Sequence, residues 1–242
     1  EENQFVRGFR EISKKIPTPN AILCISAHWF TKGTFVTSGE IQKTIHDFYG
    51  FPPELFAVEY PAKGNPELAK ETAELLAPTS VIETESWGLD HGAWSVIRHL
   101  YPEAQIPVIQ ISIDYTQPAQ YHFDLAKKLQ KLREKGILII GSGNVVHNLR
   151  MIDWKNINTV GAGWDWAIEA RAKTNEWILD GNFQNLIHFE KQGTALQNAI
   201  PTPDHYLPLI YTLGLKEKSE EISLFNDELI GGSLSMTSVK VG

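Results

Sequence analysis

The chain has 242 residues, of which 42% are hydrophobic and 21% charged. That apolar fraction supports a full core and excludes intrinsic disorder, and the length suits one large α/β domain. Lys plus Arg is 22 against 29 for Asp plus Glu, a net charge of −7 with no basic run, which makes a poor nucleic-acid or anionic-membrane binder.

Along the chain, apolar strand-like runs alternate with longer helical patterns, which predicts α/β layers. Residues 5–15 read as an amphipathic helix with Phe5, Phe9 and Ile12 on one stripe, stopped by Pro17 and Pro19. Residues 21–27 (Ala-Ile-Leu-Cys-Ile-Ser-Ala) are continuously apolar, as a strand covered on both faces should be. Asn65-Pro66-Glu67 is a helix start, with an Asn cap, Pro at the first helical position and an acidic first turn. That helix runs to about Ala77. Residues 106–113 form a strand with Pro107 at its beginning, where a missing donor is tolerated. Residues 118–135 form a helix with Leu125, Leu129 and Leu132 on one face, ended by Gly136. Residues 137–140 follow as a third buried strand. Further helices are predicted over 164–179 and 204–213, and alternation over 233–241 predicts a closing strand. Helices between buried strands imply crossovers and a sheet covered on both sides, with working residues just beyond the strand ends. No apolar run approaches the roughly 20 residues needed to cross a bilayer. The single cysteine, Cys24, cannot form an internal disulfide, so a reducing, cytoplasmic setting is expected.

The chemistry concentrates in eight histidines. His28 follows the strand 21–27 and His147 follows the strand 137–140 through a Gly-Ser-Gly-Asn turn. His46, His91 and His205 lie in loops rich in Gly, Pro and Asp. One histidine beside a strand is more often structural than functional, but five in such loops point to a site, and imidazole is the commonest metal ligand. His99 and His122 read as helix-face or core residues, and His188 has no motif around it. Cys24 reads as an inert buried thiol. Residues 141–144 lack the third glycine of a dinucleotide loop and the Lys of a P-loop, and no His-Glu-x-x-His or Gly-x-Ser-x-Gly occurs. Aromatic residues beside His28 and His46 serve equally for core packing or for a flat pocket that takes an aromatic ligand. Asp47 and Asp90 each adjoin a site histidine and read as orienters of the imidazoles, with a direct ligand role open for either. Spacing thus predicts a mononuclear metal site, open between zinc and iron and between hydrolysis and oxygen chemistry.

Five ordered segments narrow this: Ser26-Ala27-His28-Trp29, His46-Asp47-Phe48-Tyr49-Gly50-Phe51-Pro52, Gly88-Leu89-Asp90-His91-Gly92, Ser142-Gly143-Asn144-Val145-Val146-His147-Asn148-Leu149 and Thr202-Pro203-Asp204-His205-Tyr206-Leu207-Pro208-Leu209. Together they resemble the 4,5-DOPA extradiol dioxygenase family of class III (LigB-like) ring-cleavage enzymes. The resemblance extends through Gly232-Ser233-Leu234-Ser235-Met236 and so covers nearly the whole chain. It implies one three-layer α/β/α domain over residues 1–242 around a central mixed, mostly parallel sheet. It also implies a mononuclear non-haem metal, Fe(II) for ring cleavage, with Zn(II) in some members. By the same resemblance His28 and His205 become metal ligands, and His147 either a further ligand or the acid/base beside the metal. His91 would contact substrate and dioxygen, and His46 would line the substrate side. The partners implied are a small-molecule catechol such as L-DOPA and O₂, with a muconic semialdehyde as product; nothing in the sequence signals an oligomeric state. The family opens with a strand ending in His-Gly-Ser-Pro, whose histidine is a ligand. That motif is absent from these residues, so the sheet is expected to lack this N-terminal strand and the site one ligand. A zinc-dependent hydrolase and a non-catalytic binding protein on the same fold remain as other readings of the histidines.

Overall fold

The structure is a computed structural model that describes residues 2–242. In chain order the elements are α1 (Gln4–Ser13), β1 (Ala21–Thr31), β2 (Thr34–Thr37), α2 (Pro53–Phe56), α3 (Pro66–Leu75), β3 (Val81–Thr84), α4 (His91–Leu100), β4 (Val108–Asp114), α5 (Ala119–Arg133) and β5 (Ile137–Ser142). There follow α6 (Asp165–Leu179), α7 (Phe183–Ile187), α8 (Thr194–Ala199), α9 (Leu207–Gly214), β6 (Ile222–Phe225), β7 (Leu229–Ile230), β8 (Leu234–Ser235) and β9 (Ser238–Val241).

The central sheet has five strands in the order β3-β2-β4-β1-β5. β1 runs parallel to both its neighbours, β2 runs parallel to β3, and only the β2–β4 pair is antiparallel. Period-2 alternation explains why β1 is apolar throughout. Leu23 and Ile25 join the core built with α3, α5 and α9, while Ile22 and Cys24 join the core built with Ala93, Trp94 and Ile97 of α4. Both faces are therefore covered, as the sequence predicted. The caps also form as expected: Asn65 accepts from the backbone N–H of Leu68 at 3.0 Å, and Gly136 takes a positive φ of 74° after α5. Among the described residues no helix is long and apolar enough to cross a membrane.

Four features differ from expectation. β1 does not stop at Ala27 but runs to Thr31, and its pairing with β4 jumps from Ile25↔Ile111 to Phe30↔Ile113. His28 thus lies in a bulged stretch inside the strand rather than after it. Among the described residues β5 pairs only with β1 and is an edge strand; Leu138, Ile139 and Ile140 are half-buried, because one rim of β5 borders a cavity of about 620 Å³ lined in part by Phe9, Ile12 and Ile16. Residues 233–241 form two short strands, not one: β8 pairs with β7 and β9 pairs with β6. His205 precedes α9, which starts only at Leu207, after a turn over 201–206. The four-residue strands β2 and β3 carry mixed polar sequence and no run long enough to be recognised.

Candidate active site

Four imidazoles meet at the carboxyl ends of the sheet. His28 comes from the bulge in β1 and His91 is the first residue of α4. His147 comes from the loop after β5 and His205 from the turn before α9. Ring centroids are 3.8 Å apart for His28 and His91, 5.0 Å for His28 and His205, and 3.5 Å for His147 and His205, whose planes are parallel to within 5°. Of the five histidines singled out by sequence, the fold gathers these four. His46 stays one ring outside: Phe48 packs edge-on to His46 at 5.8 Å and to His91 at 5.4 Å. The Nε2 of His46 lies 2.9 Å from the carbonyl of Val58.

Small residues allow this convergence. A Cβ on Gly92 would sit 2.5 Å from Ser26 Oγ and 2.8 Å from His28 Cδ2, so only glycine lets α4 begin this close to the bulge. A Cβ on Gly141 would meet the carbonyl of Pro208 at 2.4 Å, and one on Gly143 the carbonyl of His205 at 2.3 Å. The Gly-Ser-Gly segment is therefore where the first turn of α9 and the turn before it pass β5, and neither glycine there takes a positive φ. His147 is held from the chain's far end. Its backbone N–H donates to the carbonyl of Ala199 at 2.9 Å, and it forms an isolated bridge with Leu234. Ser233 Oγ donates to the carbonyl of Asn148 at 2.8 Å, and Val146 N–H donates to Ser235 Oγ at 3.1 Å. These serines carry no catalytic signal in sequence, and only the family-like stretch 232–236 hinted at them.

The two acidic residues that sequence treated alike have different surroundings. Asp90 is fully buried: Oδ1 accepts from Ser26 Oγ at 2.6 Å and from Ala93 N–H at 3.0 Å, and Oδ2 accepts from Gln110 Nε2. It caps α4 and ties it to β1 and β4 but bonds no imidazole. Asp47 does face the rings, with Oδ1 at 3.0 Å from Nδ1 of His91 and Oδ2 at 3.6 Å from Nδ1 of His28. His122 lies in the core instead, fully buried with Nδ1 at 3.0 Å from Tyr211 Oη.

The cluster favours neutral imidazole. Burial, helped by the neighbouring His147, His28 and His91, pushes His205 down to about 2. Burial likewise lowers His28, with His91 adding to the effect, and lowers His147. Neutral imidazoles offer lone pairs, which is what a metal needs. Nδ1 of His205 is buried with no hydrogen-bond partner, a cost that a bound cation would remove. One ligand atom from each of His28, Asp47 and His91 lies within 4.8 Å of the other two, whereas His147 and His205 do not join that group, so of the expected ligands only His28 belongs to it.

Clustered neutral imidazoles at the strand ends of an α/β/α sheet define a metal-dependent enzyme. The comparisons with known proteins specify which kind. A family model described as "Catalytic LigB subunit of aromatic ring-opening dioxygenase" matches residues 1–234. The chain is 43% identical over 245 residues to the 4,5-DOPA dioxygenase extradiol of Escherichia coli (strain K12), covering 100% of this chain and 89% of that one. It is 35% identical over 242 residues to the protein of the same name from Beta vulgaris, covering 98% and 88%. The crystal structure of an uncharacterized protein from Escherichia coli K12 superposes with a TM-score of 0.85 at 39% identity, over 100% of this chain and 94% of that one. The chain belongs to the LigB family of aromatic ring-opening dioxygenases. Among the readings the histidines left open, this selects oxygen chemistry over a hydrolase or a binding protein.

Proposed function

We propose that the chain cleaves a catechol such as L-DOPA with O₂ in the extradiol position, giving a muconic semialdehyde. The observation that carries this is the cluster of four histidines at the sheet's carboxyl end, in which burial favours the neutral form of His28, His147 and His205. The names of the relatives support the substrate class. His28 and His205 would hold the metal. Fe(II) is the ion suited to ring cleavage; Zn(II) would bind the same nitrogens but has no redox chemistry to offer. When bound, ferrous iron would bring catechol and dioxygen together and make the catechol hydroxyl more acidic.

The remaining work falls to the chain. His147 lies parallel to His205 at 3.5 Å, so its in-plane lone pairs run alongside those of His205 rather than converging with them. That geometry favours the acid/base role for His147 over the ligand role. Neutral at ordinary pH, it would take the catechol proton on an imidazole nitrogen and return it later to the departing oxygen. His91, with Nδ1 toward Asp47, would present its other nitrogen to substrate and dioxygen. Phe48 forms an apolar wall beside His91, and His46 packs against Phe48 one ring further out, which leaves it a supporting residue of the substrate pocket. Residues 1–242 would act as one catalytic domain in a reducing, cytoplasmic setting.

The test is to load the protein anaerobically with Fe(II), add L-DOPA and admit air while following O₂ uptake and visible absorbance. Oxygen uptake with a rising yellow semialdehyde, absent in His147→Ala, is expected. No uptake across a panel of catechols, in protein holding one iron, would overturn the proposal.

A further inference from the structure

Asp47 stands on the loop between β2 and α2, 44 positions before His91, yet it meets both histidines of the β1–α4 side of the site. Its Oδ1 accepts from the backbone N–H of His91 at 2.8 Å and lies 3.0 Å from Nδ1 of the same residue. Its Oδ2 lies 3.6 Å from Nδ1 of His28. The side-chain contact with His91 is close in distance but not aligned as a hydrogen bond, and the contact with His28 is longer than one, so the carboxylate faces both Nδ1 atoms through its charge. The carboxylate is one-fifth exposed and the two rings about a quarter to a third, so the charge is only partly screened by water.

We propose that Asp47 is a positioning residue shared by His28 and His91, which holds the proton of both imidazoles on Nδ1 and so leaves both Nε2 lone pairs free. Free neutral histidine prefers its proton on Nε2, the wrong nitrogen for a ring that must offer Nε2. A carboxylate beside Nδ1 reverses that preference, because only an Nδ1–H can donate to it. One carboxylate serving two rings also fixes them relative to each other, at 3.8 Å between centroids and tilted by 48°. Asp90 cannot take over this task, because its oxygens are already engaged by Ser26, Gln110 and the backbone of Ala93. The inference rests on the reading of His28 and His91 as site residues, but its first readout does not need turnover.

That readout is the tautomer of each ring, measured by long-range ¹H–¹⁵N correlation on the metal-free protein at pH 8. Peaks would be assigned with His28→Gln and His91→Gln. In the unaltered protein both rings should carry the proton on Nδ1. In Asp47→Ala both should shift toward Nε2–H, in Asp47→Asn the shift should be partial, and Asp47→Glu should restore at least the His91 tautomer. Affinity for Co(II), by competition with a chelator, should fall about 10- to 100-fold in Asp47→Ala. Should Asp47→Ala fail to fold, Asp47→Asn keeps the shape of the side chain and reads the same shift. Either ring bearing its proton on Nε2 in the unaltered protein, or tautomers unchanged in both Asp47→Ala and Asp47→Asn, would overturn the inference. Shifted tautomers without ring cleavage in any protein would leave Asp47 as positioner and remove the dioxygenase reading. Ring cleavage with unshifted tautomers would do the reverse.

Discussion

Replacing Gly92 by alanine tests whether close backbone approach, rather than donor identity alone, sets the geometry of the site. The new Cβ would stand 2.8 Å from Cδ2 of His28 and 2.5 Å from Oγ of Ser26, against the 3.4 Å at which ordinary contact begins. Neither neighbour yields easily. Ser26 donates to the buried Asp90 at 2.6 Å, and His28 is flanked by His91 at 3.8 Å. Relieving the overlap needs a displacement of about 0.6 Å at His28 and about 0.9 Å at Ser26 in a close-packed region. Overpacking of this kind costs about 1–3 kcal/mol, and in a chain of this size each kcal/mol lowers Tm by roughly 2–4 °C. Misplacing a site residue by about 1 Å costs on the order of 100-fold in turnover. Catechol turnover by iron-loaded Gly92→Ala would be compared with that of the parent, alongside its thermal unfolding. A moderate fall in Tm with a fall of about two decades in kcat is expected. Turnover within a factor of about two of the parent, in folded protein, would refute the argument that this glycine sets the position of His28.

Four further outcomes are expected. His28→Ala and His205→Ala should each purify without stoichiometric metal while remaining folded, as read by metal analysis and circular dichroism; one ion per chain in either would contradict the ligand assignment. His147→Ala should keep the metal but lose turnover by on the order of 10²–10⁴-fold, checked by single-turnover oxygen uptake. His122 is fully buried and burial pushes it from 6.5 down to about 4, so the unfolded chain takes the proton first as pH falls. Its stabilisation is complete above about pH 6.5 and is lost progressively down to about pH 4, a total of about 3 kcal/mol. Urea titrations of metal-free protein across that range should show a shallower pH dependence for His122→Phe than for the parent, and equal slopes would refute the assignment. Ser233→Ala removes the hydroxyl bonded to the Asn148 carbonyl and should cost about 1 kcal/mol while lowering kcat more than it raises KM; an effect on stability alone would deny that this serine holds His147 in place.

Local sequence was enough for the core elements. The apolar run starting at Ala21, the Asn65-Pro66 cap and the leucine stripe of α5 are short-range patterns, and all three appear in the structure at the expected positions. The same patterns failed where an outcome depends on a partner far along the chain. β5 reads as a buried strand because its residues are apolar, but whether a strand lies at the edge is decided by what pairs with it. Residues 233–241 alternate without a break, yet β8 and β9 separate because β7 and β6 offer them different edges.

The active site divides in the same way. Residue types and short motifs by themselves marked His28, His91, His147 and His205, because imidazoles in Gly- and Pro-rich loops are chemically conspicuous. Sequence could not say that Asp47 faces two rings while Asp90 faces none, since both simply adjoin a histidine. Nor could it show that His46 stands behind Phe48, or that Ser233 and Ser235 hold a loop 85 and 89 positions earlier. The neutral state of His205 is likewise a tertiary property, since it arises from burial beside three other imidazoles that only the fold brings together. The sequence determined which donors this protein has. The folded structure decided which of them meet and at what distance, because those depend on contacts between segments that short-range patterns do not encode.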